Sequence, residues 1–520
     1  MNRRDFIRTA GAVTAALGLG AQPGMGREEG KTVTKPNILV VVADTLRACD
    51  LGCYGSAEVR TPHMDAFAKQ GVRFSRAYPE SLPTIPVRRA LHTGRRAFPF
   101  RDYRPLKWDI VYLPGWQAMD NDEDTLAENL AAAGYQTGFA TDTLPYFAPG
   151  LNFTRGFWQW EFVRGKQQDR WKSPYSVSDS RLARYGDAAK LKESPHALLP
   201  MHLANAAGWK TEEDTSTAKT FQWAMEFLED NRKGQPFYLF VDSFAPHEPW
   251  EAPEKYYRMY GDPHYKGRRI VHTAYGPADK AGYTQEELRY IRAQYCGLVT
   301  LVDRWLGKLL KKLDDLGMAG STAVFLISDH GTNFCENPRK IIGKPTGSMY
   351  PGLMQLPLIA RLPDGTGAGR VVEDIVCNTD LTATVYDLAG VRSSQGIHGR
   401  SLVPLFSTVS LPPSEGGTKG GHSRASQTPG WPTRPYATCR YGGALCYIDD
   451  ETWALAGIGG AAYEVFDLAA DPKCSRPLGK QEADRRWKTA WPRLLEDAGG
   501  EFPDYENRKT TDAIGQKPAK

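Results

Sequence analysis

Three unbroken apolar runs stand out in a chain otherwise mixed in polarity: Asn37 to Ala43 (N-I-L-V-V-V-A), Phe237 to Phe244 (F-Y-L-F-V-D-S-F) and Thr322 to Ser328 (T-A-V-F-L-I-S). Strands covered by helices on both faces read this way, because neither side of the sheet meets water. Each run ends in polar chemistry: Asp44 after the first, Pro246-His247 after the second, Asp329-His330 after the third. Helical patterns fall between them. Thr125 to Ala133 opens on a Thr125/Glu128 capping box, Ser216 to Asp230 follows, and a third runs from Thr284, capped with Glu287, to Gly317, with Gly297 or Gly307 as points of interruption. Strands alternating with helices predict an α/β fold, a doubly wound and mostly parallel central sheet flanked by helices. Such sheets bind ligands outside the carboxyl ends of their strands, where these polar clusters fall.

The texture changes towards the C-terminus. Residues 407–435 are rich in Gly, Ser, Pro and Thr and predict a linker after a main domain spanning 35–406. Tyr436 to Tyr447, Thr452 to Gly457 and Tyr463 to Leu468 are short strand-like runs. With a terminal helix near Ala483 to Ala498, they predict a small antiparallel subdomain over 436–500, ahead of a polar tail at 501–520. At the other end, Arg3 and Arg4 in R-R-D-F-I precede a mild Ala- and Gly-rich stretch, Ala10 to Ala21, too short to span a bilayer. Residues 1–26 resemble a twin-arginine export signal, which implies a periplasmic or extracellular protein. No other apolar run reaches membrane length, so no stable membrane insertion is expected.

Composition narrows the function. In 520 residues, 41% hydrophobic and 24% charged, usage is that of a globular enzyme, and a net charge of +5 without a long basic run gives no nucleic-acid surface. None of the eight cysteines shows the C-x-x-C spacing of a structural zinc site, and Cys439 and Cys446 are the one nearby pair. Thr84-Ile85-Pro86-Val87-Arg88 precedes a helix-compatible stretch, with Pro86 suited to a first helical turn. A hydroxyl at a helix start faces free N–H groups and the positive dipole end, a place for an anion; taken alone, an ordinary threonine cap reads equally well.

Together these pieces resemble the sulfatase family of the alkaline phosphatase superfamily. The blocks that carry the likeness are P-N-I-L-V-V-V-A-D at 36–44, A-D-T-L-R-A-C-D-L-G-C-Y-G at 43–55, T-P-H-M-D-A-F-A-K-Q-G-V-R-F at 61–74, T-I-P-V-R-R-A-L-H-T-G-R at 84–95, D-S-F-A-P-H-E-P-W at 242–250, S-D-H-G at 328–331, G-K at 343–344 and D-L-T-A-T-V-Y-D-L-A-G-V at 380–391. The resemblance implies that Asp44, Asp329 and His330, with Thr84, hold one divalent metal ion. Ca2+ follows from the family, and the same oxygen-rich ligands admit Mn2+ or Mg2+. It implies further that Arg88, His247 and Lys344 hold the anion, stabilise the nucleophile or assist the leaving group, while His92 and Trp250 serve as packing or pocket wall.

Three departures bear on mechanism. Thr84 stands where the family has the cysteine converted to formylglycine, and oxidising a secondary alcohol cannot give an aldehyde. Thr45 stands where many members have a second aspartate ligand, and Ala140-Thr141-Asp142-Thr143 replaces a G-K-W-H block, removing an anion-binding lysine. The expected activity is hydrolysis of sulfate esters of small molecules or glycans. Threonine chemistry also suits a phosphodiester or phosphonate hydrolase or a phosphotransferase, because a threonyl ester must be cleared by water. A silent member that binds anionic glycans is the third reading. The Trp-, Tyr- and Arg-rich stretches Pro99 to Gln117 and Asn152 to Trp209 are insertions that either frame the pocket or supply surface aromatics.

Overall fold

The computed structural model describes residues 35–101, 103–104, 111–193, 197–234, 236–407 and 431–505. The export signal at 1–26, positions 408–430 of the linker, and the tail from 506 lie outside them. The described residues form one compact unit.

The apolar runs become neighbouring strands. The central sheet has eight: β1 (Asn37–Ala43), β2 (Val72–Tyr78), β3 (Gln136–Thr141), β4 (Gln159–Phe162), β5 (Phe237–Ser243), β6 (Thr322–Ile327), β7 (Leu356–Arg361) and β8 (Val371–Cys377). Their order is β8-β2-β7-β6-β1-β5-β3-β4. Strand β7 pairs antiparallel with both neighbours and every other pairing is parallel, the mostly parallel sheet the pattern predicts. All seven residues of β1 are buried, and alternate side chains feed two cores. Ile38, Val40 and Val42 pack with Leu91, Leu126 and Leu381 on one face; Leu39 and Val41 pack with Phe221, Leu298 and Leu306 on the other. This double burial is why the strand shows no polar alternation.

Both predicted capping boxes form. Thr125 and Glu128 start Leu126–Ala132, and Thr284 and Glu287 start a 31-residue helix, Gln285–Asp315. Neither glycine interrupts that helix. A Cβ on Gly297 would lie 2.8 Å from Ala252 Cβ and 3.2 Å from the Tyr256 carbonyl carbon, so the glycine serves close approach of a neighbouring segment rather than a break.

The C-terminal run is also redrawn. Tyr436 to Tyr447 reads as one strand in sequence but folds as a hairpin, Ala437–Tyr441 and Ala444–Ile448, joined by Gly442-Gly443 with Gly442 at φ +58°. With Thr452–Gly457 and Ala462–Asp467 it makes an antiparallel sheet separate from the central one, covered by helix Lys480–Asp497. A fifth strand joins in parallel, Ser81–Leu82, from the segment just before Thr84. Cys439 and Cys446 lie directly opposite in the hairpin, buried, with free thiols. Trp158, Trp160, Trp171 and Tyr175 are exposed, and no helix among the described residues is long and apolar enough to cross a membrane.

Replacing Gly297 with Ala should gain about 1 kcal/mol of helix propensity but lose more, about 1–3 kcal/mol, to overpacking against Ala252 and Tyr256. The expected result is a lower urea midpoint at unchanged m-value.

Candidate metal and ester-binding centre

Four adjacent strands, β6, β1, β5 and β3, each carry an aspartate at the carboxyl end: Asp329, Asp44, Asp242 and Asp142. The first three close around one guanidinium. Arg88, on helix Thr84–Thr93 and fully buried, donates from Nε (2.7 Å) and Nη2 (2.8 Å) to the two oxygens of Asp242. Its Nη1 donates to Asp329 Oδ2, and Nη2 lies 3.0 Å from Asp44 Oδ2. Asp142 instead accepts from the Phe244 amide at 2.7 Å.

One ligand atom each from Asp44, Asp329 and His330 can be chosen so that all lie within 4.8 Å of one another, and all three residues are buried. Thr84, the first residue of its helix and 3% exposed, brings Oγ1 to 3.4 Å from His330 Nε2. His330 Nδ1 is 2.9 Å from the Gly331 carbonyl, which leaves Nε2 as the nitrogen that could face a cation. Asp44 Oδ2 is buried and makes no hydrogen bond, its approach to Arg88 being poorly aligned for one. Burial first, then the Asp329 charge, push the Asp44 carboxyl well up. Against the cost of burial, His330 and Arg88 hold Asp329 well below the usual carboxylate range, and burial lowers His330 to about 4. An orphaned carboxylate oxygen, a second carboxylate and a neutral imidazole around one point fit a divalent cation.

The family model described as Sulfatase matches residues 36–391. The chain belongs to the sulfatase family. Residues 1–20 match the twin-arginine translocation signal, so the sulfatase-family chain carries an export signal of that route. It is 27% identical over 503 residues to the ulvan-active sulfatase of Formosa agariphila, covering 94% of this chain and 86% of that one. Its fold matches the phosphonate monoester hydrolase of Agrobacterium radiobacter with a TM-score of 0.65 at 21% identity, over 89% and 96% of the two chains. It also matches a protein solved in complex with its substrate D-glucosamine-2-N,6-O-disulfate, with a TM-score of 0.64 at 19% identity over 90% and 98%.

Around the sulfatase-family site, Thr45 is bent into the left-handed region at φ +65°, strained for a β-branched residue. The bend aims its amide at Asp329 Oδ1 (3.0 Å), while its hydroxyl donates to Asp44 Oδ1 (2.7 Å) and accepts from Lys344 Nζ (3.4 Å). Lys344 is thereby joined to the centre, and His247 joins through Glu248, whose backbone oxygen sits 2.6 Å from His247 Nδ1. His92 is buried among Phe139, Tyr146, Phe153, Phe157 and Phe240, where burial lowers it to about 3, and Trp250 donates to the Pro246 carbonyl (3.0 Å); both pack. From the segment after β3, Thr143 donates to Asp242 (3.3 Å), as does Tyr146 (2.5 Å).

Asp242 and Glu248 escape a sequence reading that takes Pro246-His247 as the polar end of the second apolar run. The available signal is a charged residue inside an apolar strand for Asp242, and one between two prolines for Glu248.

Replacing Asp242 with Ala should strand Arg88 against the remaining carboxylates and cost about 3–5 kcal/mol of stability, read as a lower thermal midpoint. Asn, which keeps shape and an acceptor, should cost less.

Proposed function

We propose that this sulfatase-family protein is an exported, metal-dependent hydrolase of sulfate esters in which Thr84 is the nucleophile and Asp44, Asp329 and His330, with Thr84, hold one divalent cation. The observation that carries the reading is the convergence of those three ligands with Thr84 Oγ1 beside His330 Nε2 at 3.4 Å. A bound cation supplies a Lewis acid that lowers the pKa of the threonine hydroxyl and polarises the ester group. The hydroxyl at the head of the helix attacks sulfur, the ester C–O–S bridge breaks on the sulfur side, and the alcohol leaves with a proton. Water then cleaves the threonyl ester. His247 keeps its Nδ1 proton on the Glu248 carbonyl, so Nε2 is free to take up and return a proton. Arg88 stabilises the carboxylates rather than the substrate, since four of its five N–H donors are taken by Asp242, Asp329 and the Thr84 carbonyl (3.4 Å) and the fifth faces Asp44.

The relative named for ulvan and the neighbour bound to a disulfated glucosamine support a sulfated glycan as substrate. Thr84 itself favours a second reading, a phosphodiester or phosphonate ester hydrolase. A threonyl sulfate lacks the second hydroxyl through which a formylglycine hydrate expels sulfate, whereas a threonyl phosphoester is cleared by water; the phosphonate monoester hydrolase neighbour agrees with it.

Mature protein is to be assayed with Ca2+, Mn2+ and Mg2+ against matched sulfate esters, phosphate monoesters and phosphodiesters. Thr84→Ala should lower turnover by about a thousandfold or more while calorimetry still shows cation binding, and Asp329→Ala should lose both. Full activity in Thr84→Ala would remove Thr84 from the mechanism. Thr84→Cys recreates C-x-P-x-R; once mass spectrometry confirms formylglycine, a rise in sulfate-ester hydrolysis is expected, and no sulfatase activity on a broad panel would favour the phosphoryl reading.

A further inference from the structure

Lys344 has three N–H donors, and the protein takes all of them: Glu248 Oε1 at 3.2 Å, Glu248 Oε2 at 3.3 Å and Thr45 Oγ1 at 3.4 Å. Glu248 is fully buried, its Oε2 also 3.4 Å from His247 Nδ1, and against the cost of burial the Lys344 ammonium holds its carboxyl low. The lysine's backbone is fixed as well, because Tyr441 from the C-terminal hairpin donates to its carbonyl at 2.9 Å. The Tyr275 ring centroid lies 5.6 Å from the ammonium. A carboxylate buried beside an anion site repels the substrate and removes a lysine from it, so its presence calls for a function.

The charges supply one. The inner groups are Asp44, Asp242, Asp329 and Glu248 against Arg88 and Lys344; a bound cation takes its carboxylates ionised and its imidazole neutral, burial holds His247 and His272 neutral, and Asp142 is offset by Lys166. One divalent cation at Asp44, Asp329 and His330 brings this set to zero. With Glu248 uncharged, it would stand at one net positive charge. Sulfate monoesters, phosphodiesters and phosphonate monoesters carry one negative charge; phosphate monoesters carry two above neutral pH. In a buried site, each unit of mismatch is weighed at low effective dielectric.

We propose that Glu248 is a specificity-determining residue: by holding Lys344 it keeps the cation-loaded pocket electrically neutral, so that it selects monoanionic ester groups over dianionic phosphate monoesters. The proposal rests on the cation site proposed above.

The test is equilibrium binding at pH 8.5 of 4-nitrophenyl sulfate and 4-nitrophenyl phosphate to cation-loaded mature protein carrying Thr84→Ala, so that neither probe turns over. The sulfate should bind tighter, and adding Glu248→Gln, which keeps the shape and an acceptor for Lys344, should move the Kd ratio towards the dianion by about tenfold. Glu248→Asp should retain the wild-type preference. Lys344→Ala, which removes a cation instead, should move the ratio the opposite way and tests the same balance should the Gln variant unfold. With Thr84 restored, the kcat/KM ratio for the two probes should follow the binding ratio. Unchanged ratios with both probes bound would overturn the role of Glu248 alone, and binding of neither probe would overturn the ester-site reading and this proposal with it.

Discussion

One guanidinium among three buried carboxylates sets the terms for the rest of the centre. Asp44, Asp242 and Asp329 come to one point because β1, β5 and β6 are parallel neighbours whose carboxyl ends share an edge. Negative charges packed so closely without water would protonate or push the strand ends apart. Arg88 prevents this, since its planar fork gives two parallel hydrogen bonds to Asp242 while its remaining donors reach towards Asp329 and Asp44, and a guanidinium does not lose its proton. One positive charge still leaves the carboxylates in excess, and that excess suits a divalent cation.

The guanidinium also orders the Thr84 hydroxyl. Arg88 lies one helical turn after Thr84, so fixing it at Asp242 fixes the first turn of the helix and the hydroxyl at its head. The segment before the helix is held separately, Ser81–Leu82 being paired into the small C-terminal sheet. That sheet reaches the site a second time through Tyr441 and the Lys344 carbonyl. Its chemistry is indirect. It holds two loops whose side chains act at the edge of another sheet.

Thr143 and Tyr146, in the segment after β3, donate to Asp242 and so support the Arg88 clamp.

The strands of the core and their polar ends were legible along the chain, because double burial leaves an unbroken apolar run and parallel strands put Asp44, Asp329 and His330 on one edge. Helix starts were legible for an equally local reason: a capping box lies within four residues. What the sequence did not show depends on positions far apart or on space. Arg88 and Asp242 are separated by 154 positions and Glu248 and Lys344 by 96, and no local pattern tells which distant carboxylate a cation will meet. Ser81–Leu82 is too short to carry strand periodicity and becomes one only because a partner edge is there. Gly297 reads locally as a helix breaker, yet the fold uses its missing Cβ to admit Ala252, since tertiary contact outweighs a propensity of about 1 kcal/mol. Residue type and local periodicity therefore determined the architecture and the polar strand ends, whereas the partners of Arg88 and Lys344, and with them the charge of the pocket, were decided by packing at the sheet edge.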